Sequence, residues 1–105
     1  MPVQQADVAT VQTWRDNEEA VLIDVREDHE FEAAHIPGAI HMPMSRFDVN
    51  ALPDPGDKHL IFYCAMGMRS QSVAEQLVAN GVIGDAVNMT GGIGAWSESN
   101  YPLES

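Results

Sequence analysis

Two short apolar runs constrain this chain more than any other feature. Val21-Leu22-Ile23-Asp24-Val25 and Leu60-Ile61-Phe62-Tyr63 are rich in β-branched and aromatic residues. Each is too short for a buried helix, and neither alternates strictly with polar residues as a half-exposed strand would. Such runs suit parallel strands covered on both faces. The segments around them carry helical spacing instead. Val8, Val11 and Trp14 fall on one face, which predicts a first helix over about Gln5–Asp16. Asp28–Ala34 reads as a short helix that the Pro37-Gly38 turn must end, and Ala39–Met42 as a brief extended segment. A helical turn is expected near Ser45–Phe47, then a polar surface loop over Asp48–Lys58 with Pro53, Pro55 and Gly56. Val73, Ala74, Leu77 and Val78 mark a helix that opens near Ser70 and stops at Asn80-Gly81. Ala86–Met89 reads as a further short strand, and Gly91-Gly92 precedes a last helix near Ile93–Ser97. Strands alternating with helices at this spacing indicate an α/β layer fold with a mainly parallel sheet.

A chain of 105 residues fits one compact domain over 1–105. Five Lys or Arg stand against 16 Asp or Glu, a formal charge of −11. That balance argues against nucleic acid, which needs clustered cations on phosphate, and Lys58 as the sole lysine argues against an anionic membrane. The first twenty residues have neither a basic start nor an apolar run, and no stretch approaches the roughly 20 apolar residues of a membrane span. Cys64, the single cysteine, has no partner for an internal disulfide, so a reducing cytoplasm is the expected compartment.

The position of Cys64 raises it above a packing residue. It stands where the strand Leu60–Tyr63 feeds the next helix, the carboxyl edge at which open parallel sheets place their sites. The loop Ala65–Arg69 is tight, with Gly67 in its middle, so successive N–H groups can turn inward as an anion cradle. The helix terminus adds its positive end, and Arg69 a permanent cation able to fork onto an oxyanion. Together these favour a thiolate over a thiol. A nucleophile in an anion cradle suits transfer of a phosphoryl group or of a sulfane sulfur. The phosphatase spacing of cysteine, five residues and arginine would need arginine where Ser70 stands, so the smaller ring fits a single sulfur atom better.

Cys64-Ala65-Met66-Gly67-Met68-Arg69-Ser70 resembles the six-residue active loop of the rhodanese (sulfurtransferase) family. Asp24-Val25-Arg26-Glu27, Glu30-Phe31 and His35-Ile36-Pro37-Gly38-Ala39 resemble the family's first motif, and Gly91-Gly92-Ile93-Gly94-Ala95-Trp96 its closing motif. The resemblance covers essentially the whole chain. It implies a rhodanese-like α/β fold, a central five-stranded sheet flanked by helices on both faces. It also implies that Cys64 takes the outer sulfur of thiosulfate or a persulfide donor and becomes a persulfide. The terminal sulfur then lies among the amides of Ala65, Met66, Gly67, Met68 and Arg69 and passes to cyanide or a thiol acceptor, thioredoxin-like proteins included. No metal or organic cofactor is implied, and the two half-reactions predict ping-pong kinetics. Arg69 matches the family's anion-binding positions, whereas Ala65 departs from members with arginine beside the cysteine and leaves one loop cation. Asp24 and Arg26 match supporting positions and are expected to pair, with Ser70 supporting the loop from the helix start.

Other readings stay open at this stage. Arg69 could instead pair with a surface carboxylate, and Met66 and Met68 could form a soft collar at the mouth or merely fill space. A rhodanese-like binding module with an incidental cysteine, a small phosphatase and a Cys–His hydrolase are the alternatives in function. His29, His35 and His41 recur six residues apart, which is not a helical metal-ligand spacing, and they read as structural. Gly91–Gly94 lacks the order of a nucleotide loop and reads as a tight helix start that lets Trp96 pack.

Overall fold

In the computed structural model, which describes residues 3–105, the two apolar runs become neighbouring strands at the heart of one sheet. The elements are β1 (Val3–Ala6), α1 (Val8–Asp16), β2 (Ala20–Asp24), α2 (Asp28–Ala33), β3 (Ile40–His41), β4 (His59–Tyr63), α3 (Met68–Ala79), β5 (Ala86–Met89) and α4 (Gly92–Glu98). The strand order is β1-β5-β4-β2-β3, and every neighbouring pair is parallel. Leu22 pairs with Ile61 and Ile23 with Phe62, so the most apolar residues share the centre of the sheet. All four are buried, as strands covered on both faces require.

The two-residue period of the strands sorts the core into two layers. Leu22, Ile61, Tyr63, Val87 and Met89 face α1 and α4, where Val8, Val11 and Trp96 close the layer. Ile23, Leu60 and Phe62 face the other way, onto Val73, Ala74 and Leu77 of α3. Cys64 continues the alternation of Leu60 and Phe62 and joins the α3 layer. That parity places the sulfur under the start of α3.

Several boundaries differ from the sequence expectation. Gln5 and Ala6 are not helical; they belong to β1, which pairs with β5, and α1 begins only after Asp7 caps it through the Thr10 N–H at 2.9 Å. The helix expected from Ser70 begins at Met68, so Arg69 and Ser70 lie in its first turn. Short 3-10 turns occupy Met44–Arg46 and Val49–Ala51, the second inside the segment expected to be an irregular loop. Its Asp48 side chain accepts from the Asn50 N–H, a local bond that offers the backbone a turn. α4 is one residue longer at each end than expected, starting at Gly92 and finishing at Glu98. Among the described residues no helix is long and apolar enough to cross a membrane.

Candidate active site

Cys64 leaves β4 at its carboxyl end and is only 1% exposed. Three residues later Gly67 turns back, with a φ of +102° that an L side chain rarely adopts. The turn aims donors at the sulfur. The Gly67 N–H lies 3.1 Å from Cys64 Sγ, the Ser70 N–H 3.4 Å and the Ser70 hydroxyl 3.4 Å. Burial pushes the thiol up, but the Ser70 hydroxyl and the amides of Ser70, Gly67 and Met66 outweigh it, so its pKa is lowered from the ordinary value.

The outer side of the loop is held just as firmly, by α4. Its Ile93 N–H donates to the Cys64 carbonyl at 2.9 Å, and its Gly94 N–H to the Ala65 carbonyl at 3.1 Å. Carbonyls drawn outward leave the loop amides facing the sulfur. A side chain at Gly92 would defeat this arrangement: its Cβ would fall 2.5 Å from both the Cys64 and Ala65 carbonyl oxygens. Gly91-Gly92 thus does more than start a helix under Trp96. It lets one helix terminus brace the backbone of the Cys64 loop.

A third support comes from β5. Asn88 is 3% exposed in an otherwise apolar strand. Its Nδ2 donates to the Gly67 carbonyl at 3.2 Å and to Gln5 Oε1 at 3.0 Å, while its Oδ1 accepts from the Ser70 hydroxyl at 2.6 Å. Neither Asn88 nor Gln5 was singled out from sequence. The available signal was a polar side chain inside a buried strand, which must find partners.

Each site residue expected from sequence now has a place. Ala65, Met66, Gly67 and Met68 form the loop and the helix start; Met66 and Met68 are 70% and 81% exposed and flank the mouth. Ser70 reaches the sulfur directly. Asp24 and Arg26 form a buried pair, Nη2 to Oδ2 at 2.7 Å, with Arg26 also donating to the Ala34 carbonyl at 2.7 Å. Asp24 closes β2 beside Tyr63, so the pair ties β2, the neighbour of β4, to the residue that ends α2.

Arg69 is placed at the mouth, but its fork is filled. Nη1 donates to Glu30 Oε1 and Nη2 to Glu30 Oε2, both at 2.8 Å. The Arg69 bonds hold the Glu30 carboxyl down at about 2, and the Glu30 carboxylate raises Arg69 above its usual range. Glu30 is a partner that sequence reasoning tied to no side chain.

The histidines do other work. His35 and His41 stack on Phe31, with ring centroids 3.9 Å and 4.3 Å away. Among the described residues no three His, Cys, Asp or Glu side chains are placed to share a metal ion.

Fold and site together define a class: an α/β protein with a buried cysteine whose sulfur is cradled by amides at the carboxyl edge of a parallel sheet. The sequence profile of the Rhodanese-like domain matches residues 7–99, and the chain belongs to that family. It is 36% identical over 86 residues to the thiosulfate sulfurtransferase GlpE of Pseudomonas syringae, covering 82% of this chain and 79% of that one. It is also 36% identical over 93 residues to an uncharacterised protein of Synechocystis, covering 89% of this chain but only 51% of that longer protein. The crystal structure of a rhodanese-like domain protein from Staphylococcus aureus superposes with a TM-score of 0.79 at 30% identity, covering 97% of this chain and 99% of that one. The fold is rhodanese-like, and the family match together with relatives named sulfurtransferase, the Pseudomonas syringae protein among them, supports sulfurtransferase activity in general terms.

Proposed function

We propose that this protein is a thiosulfate sulfurtransferase, moving a sulfane sulfur from thiosulfate or a persulfide donor to cyanide or a thiol through a persulfide on Cys64. The observation that carries the reading is the set of donors converging on the Cys64 sulfur from Gly67 and Ser70. The name of the Pseudomonas syringae relative supports it. In the first half-reaction the Cys64 thiolate attacks the outer sulfur of thiosulfate. The new S–S bond forms as the old one breaks, and the electron pair leaves with sulfite. The terminal sulfur then carries the negative charge, which the loop amides and the start of α3 stabilise. In the second half-reaction cyanide or a thiolate takes that terminal sulfur, and the electron pair returns to Cys64. Charge is conserved in both halves, and no other group of the protein need exchange a proton.

Cys64 is the only cysteine, so no second thiol of the chain can resolve the persulfide. The acceptor is therefore external, a small thiol, cyanide or a thioredoxin-like protein, in a reducing compartment such as the cytoplasm. Steady-state kinetics with thiosulfate and cyanide test the reading. Parallel double-reciprocal lines are expected, together with loss of turnover in Cys64→Ser. Intersecting lines, or turnover that survives the substitution, would overturn it.

A further inference from the structure

The fork between Glu30 and Arg69 is a feature of the site that the sulfur-transfer steps leave unexplained. Every oxygen of the Glu30 carboxylate is engaged with Arg69, and a further bond from the Glu27 N–H to Glu30 Oε1 at 3.0 Å fixes the carboxylate to the first turn of α2. The Arg69 side chain is 36% and that of Glu30 25% exposed, so the pair lies at the surface of the mouth rather than in the core. Arg69 also lies close enough to the sulfur for a Cys64 thiolate to raise its pKa further.

No other basic side chain compensates. Arg26 is bound to Asp24, Arg46 to Asp28, and Arg15 donates to the Pro37 carbonyl. Lys58 precedes β4, at the opposite end of the strand from Cys64. Ala65 brings no charge to the loop. Among the described residues, then, the mouth has one cation, and that cation is neutralised. Met66 and Met68 stand exposed on the loop, beside the uncharged side chains of Gln71 and Thr90.

We propose that Glu30 determines donor specificity through Arg69: by filling the guanidinium fork it leaves the mouth without net positive charge, so the site favours hydropersulfides of small thiols over thiosulfate. The inference rests on the sulfur-transfer reading above and names its donor. With thiosulfate, the doubly charged sulfite leaving group must depart past a cation that is already paired. With a hydropersulfide, the Cys64 thiolate takes the terminal sulfur, the S–S bond to the donor breaks, and the donor leaves as a thiol carrying the proton. Its organic body lies at a neutral, methionine-rimmed opening.

The test separates charge selection from sulfur transfer. Cys64 is alkylated with iodoacetate, an anion, and with iodoacetamide, its neutral counterpart, and the ratio of the two rates is taken. In the unmodified protein the ratio is expected at or below that of free cysteine; a ratio well above it contradicts the proposal without any substitution. Glu30→Gln keeps an oxygen to accept the Glu27 N–H and should raise the ratio about three- to tenfold, the effect of one unpaired charge at short range. Adding Arg69→Ala should remove the gain. In the same variant the kcat/KM ratio of thiosulfate to cysteine hydropersulfide should rise by a similar factor, mainly through a lower KM for thiosulfate. An unchanged alkylation ratio in Glu30→Gln overturns the role of Glu30. A changed ratio, with neither donor loading sulfur onto Cys64, overturns the sulfur-transfer reading and the donor preference with it.

Discussion

The hydroxyl oxygen of Ser70 lies 3.4 Å from the sulfur of Cys64. The same oxygen is 2.6 Å from Asn88 Oδ1, so one proton serves two acceptors. With Cys64 protonated, the thiol can donate to Ser70 while Ser70 donates to Asn88. With Cys64 ionised, the Ser70 proton is drawn to the sulfur. Removing the hydroxyl takes away a donor available only to the thiolate. Ser70→Ala should therefore slow alkylation by iodoacetamide at pH 6 about tenfold, in line with one hydrogen bond to a charged group. The full pH–rate profile checks this, since its inflection should move upward while the plateau at high pH stays.

Asn88 is the more sensitive position. Asn88→Asp keeps the shape but replaces a donor to the Gly67 carbonyl with an anion near the sulfur. Two negative groups at close range disfavour each other's charged forms. Alkylation at pH 6 should fall further than in Ser70→Ala, with the inflection displaced to higher pH. A profile equal to that of the unmodified protein would mean that β5 does not tune the loop.

Gly92 tests the brace between α4 and the loop. Its φ is +60°, and an added Cβ would meet the Cys64 and Ala65 carbonyls at 2.5 Å. Backbone cannot move aside as a flexible side chain can. Gly92→Ala should cost at least about 2 kcal/mol of stability, from the positive φ and overpacking together. Denaturant unfolding measures the loss, and sulfur transfer should fall more than the population of folded protein.

The Glu30–Arg69 pair carries a pH signature. Glu30 titrates at about 2 in the folded chain against an ordinary 4.5, so the folded state binds its proton less readily than the unfolded one. The stabilisation it contributes is complete above the ordinary value and disappears as pH falls through the folded one. The Tm advantage of the unmodified protein over Glu30→Gln should hold at pH 6, shrink below pH 4.5 and vanish near pH 2. Calorimetry of both proteins across that window checks the sign.

Much of this architecture could be read from the chain because burial writes itself into composition. β2 and β4 are covered on both faces, so their residues are nearly all apolar. β1 was hidden for the opposite reason. Val3-Gln4-Gln5-Ala6 is an edge strand with one buried residue, and pairing with β5, not its own pattern, makes it a strand. The helical spacing of Val8, Val11 and Trp14 then ran on backwards over Gln5 and Ala6. Cys64 was legible because the loop chemistry is local: a strand end, a glycine and a helix start within a few residues. The partners of Ser70 and Arg69 were not, since Asn88 and Glu30 lie 18 and 39 residues away in the chain and meet them only through the sheet order. A carboxylate at distance can cancel a cation that sequence alone assigns to substrate.

The central claim is that Cys64 carries the transferred sulfur, and intact mass spectrometry after exposure to thiosulfate or cysteine hydropersulfide tests it most directly. The account predicts one added sulfur atom, lost again on addition of cyanide and absent in Cys64→Ser. A protein whose mass is unchanged by both donors, with Cys64 still open to alkylation, would contradict it.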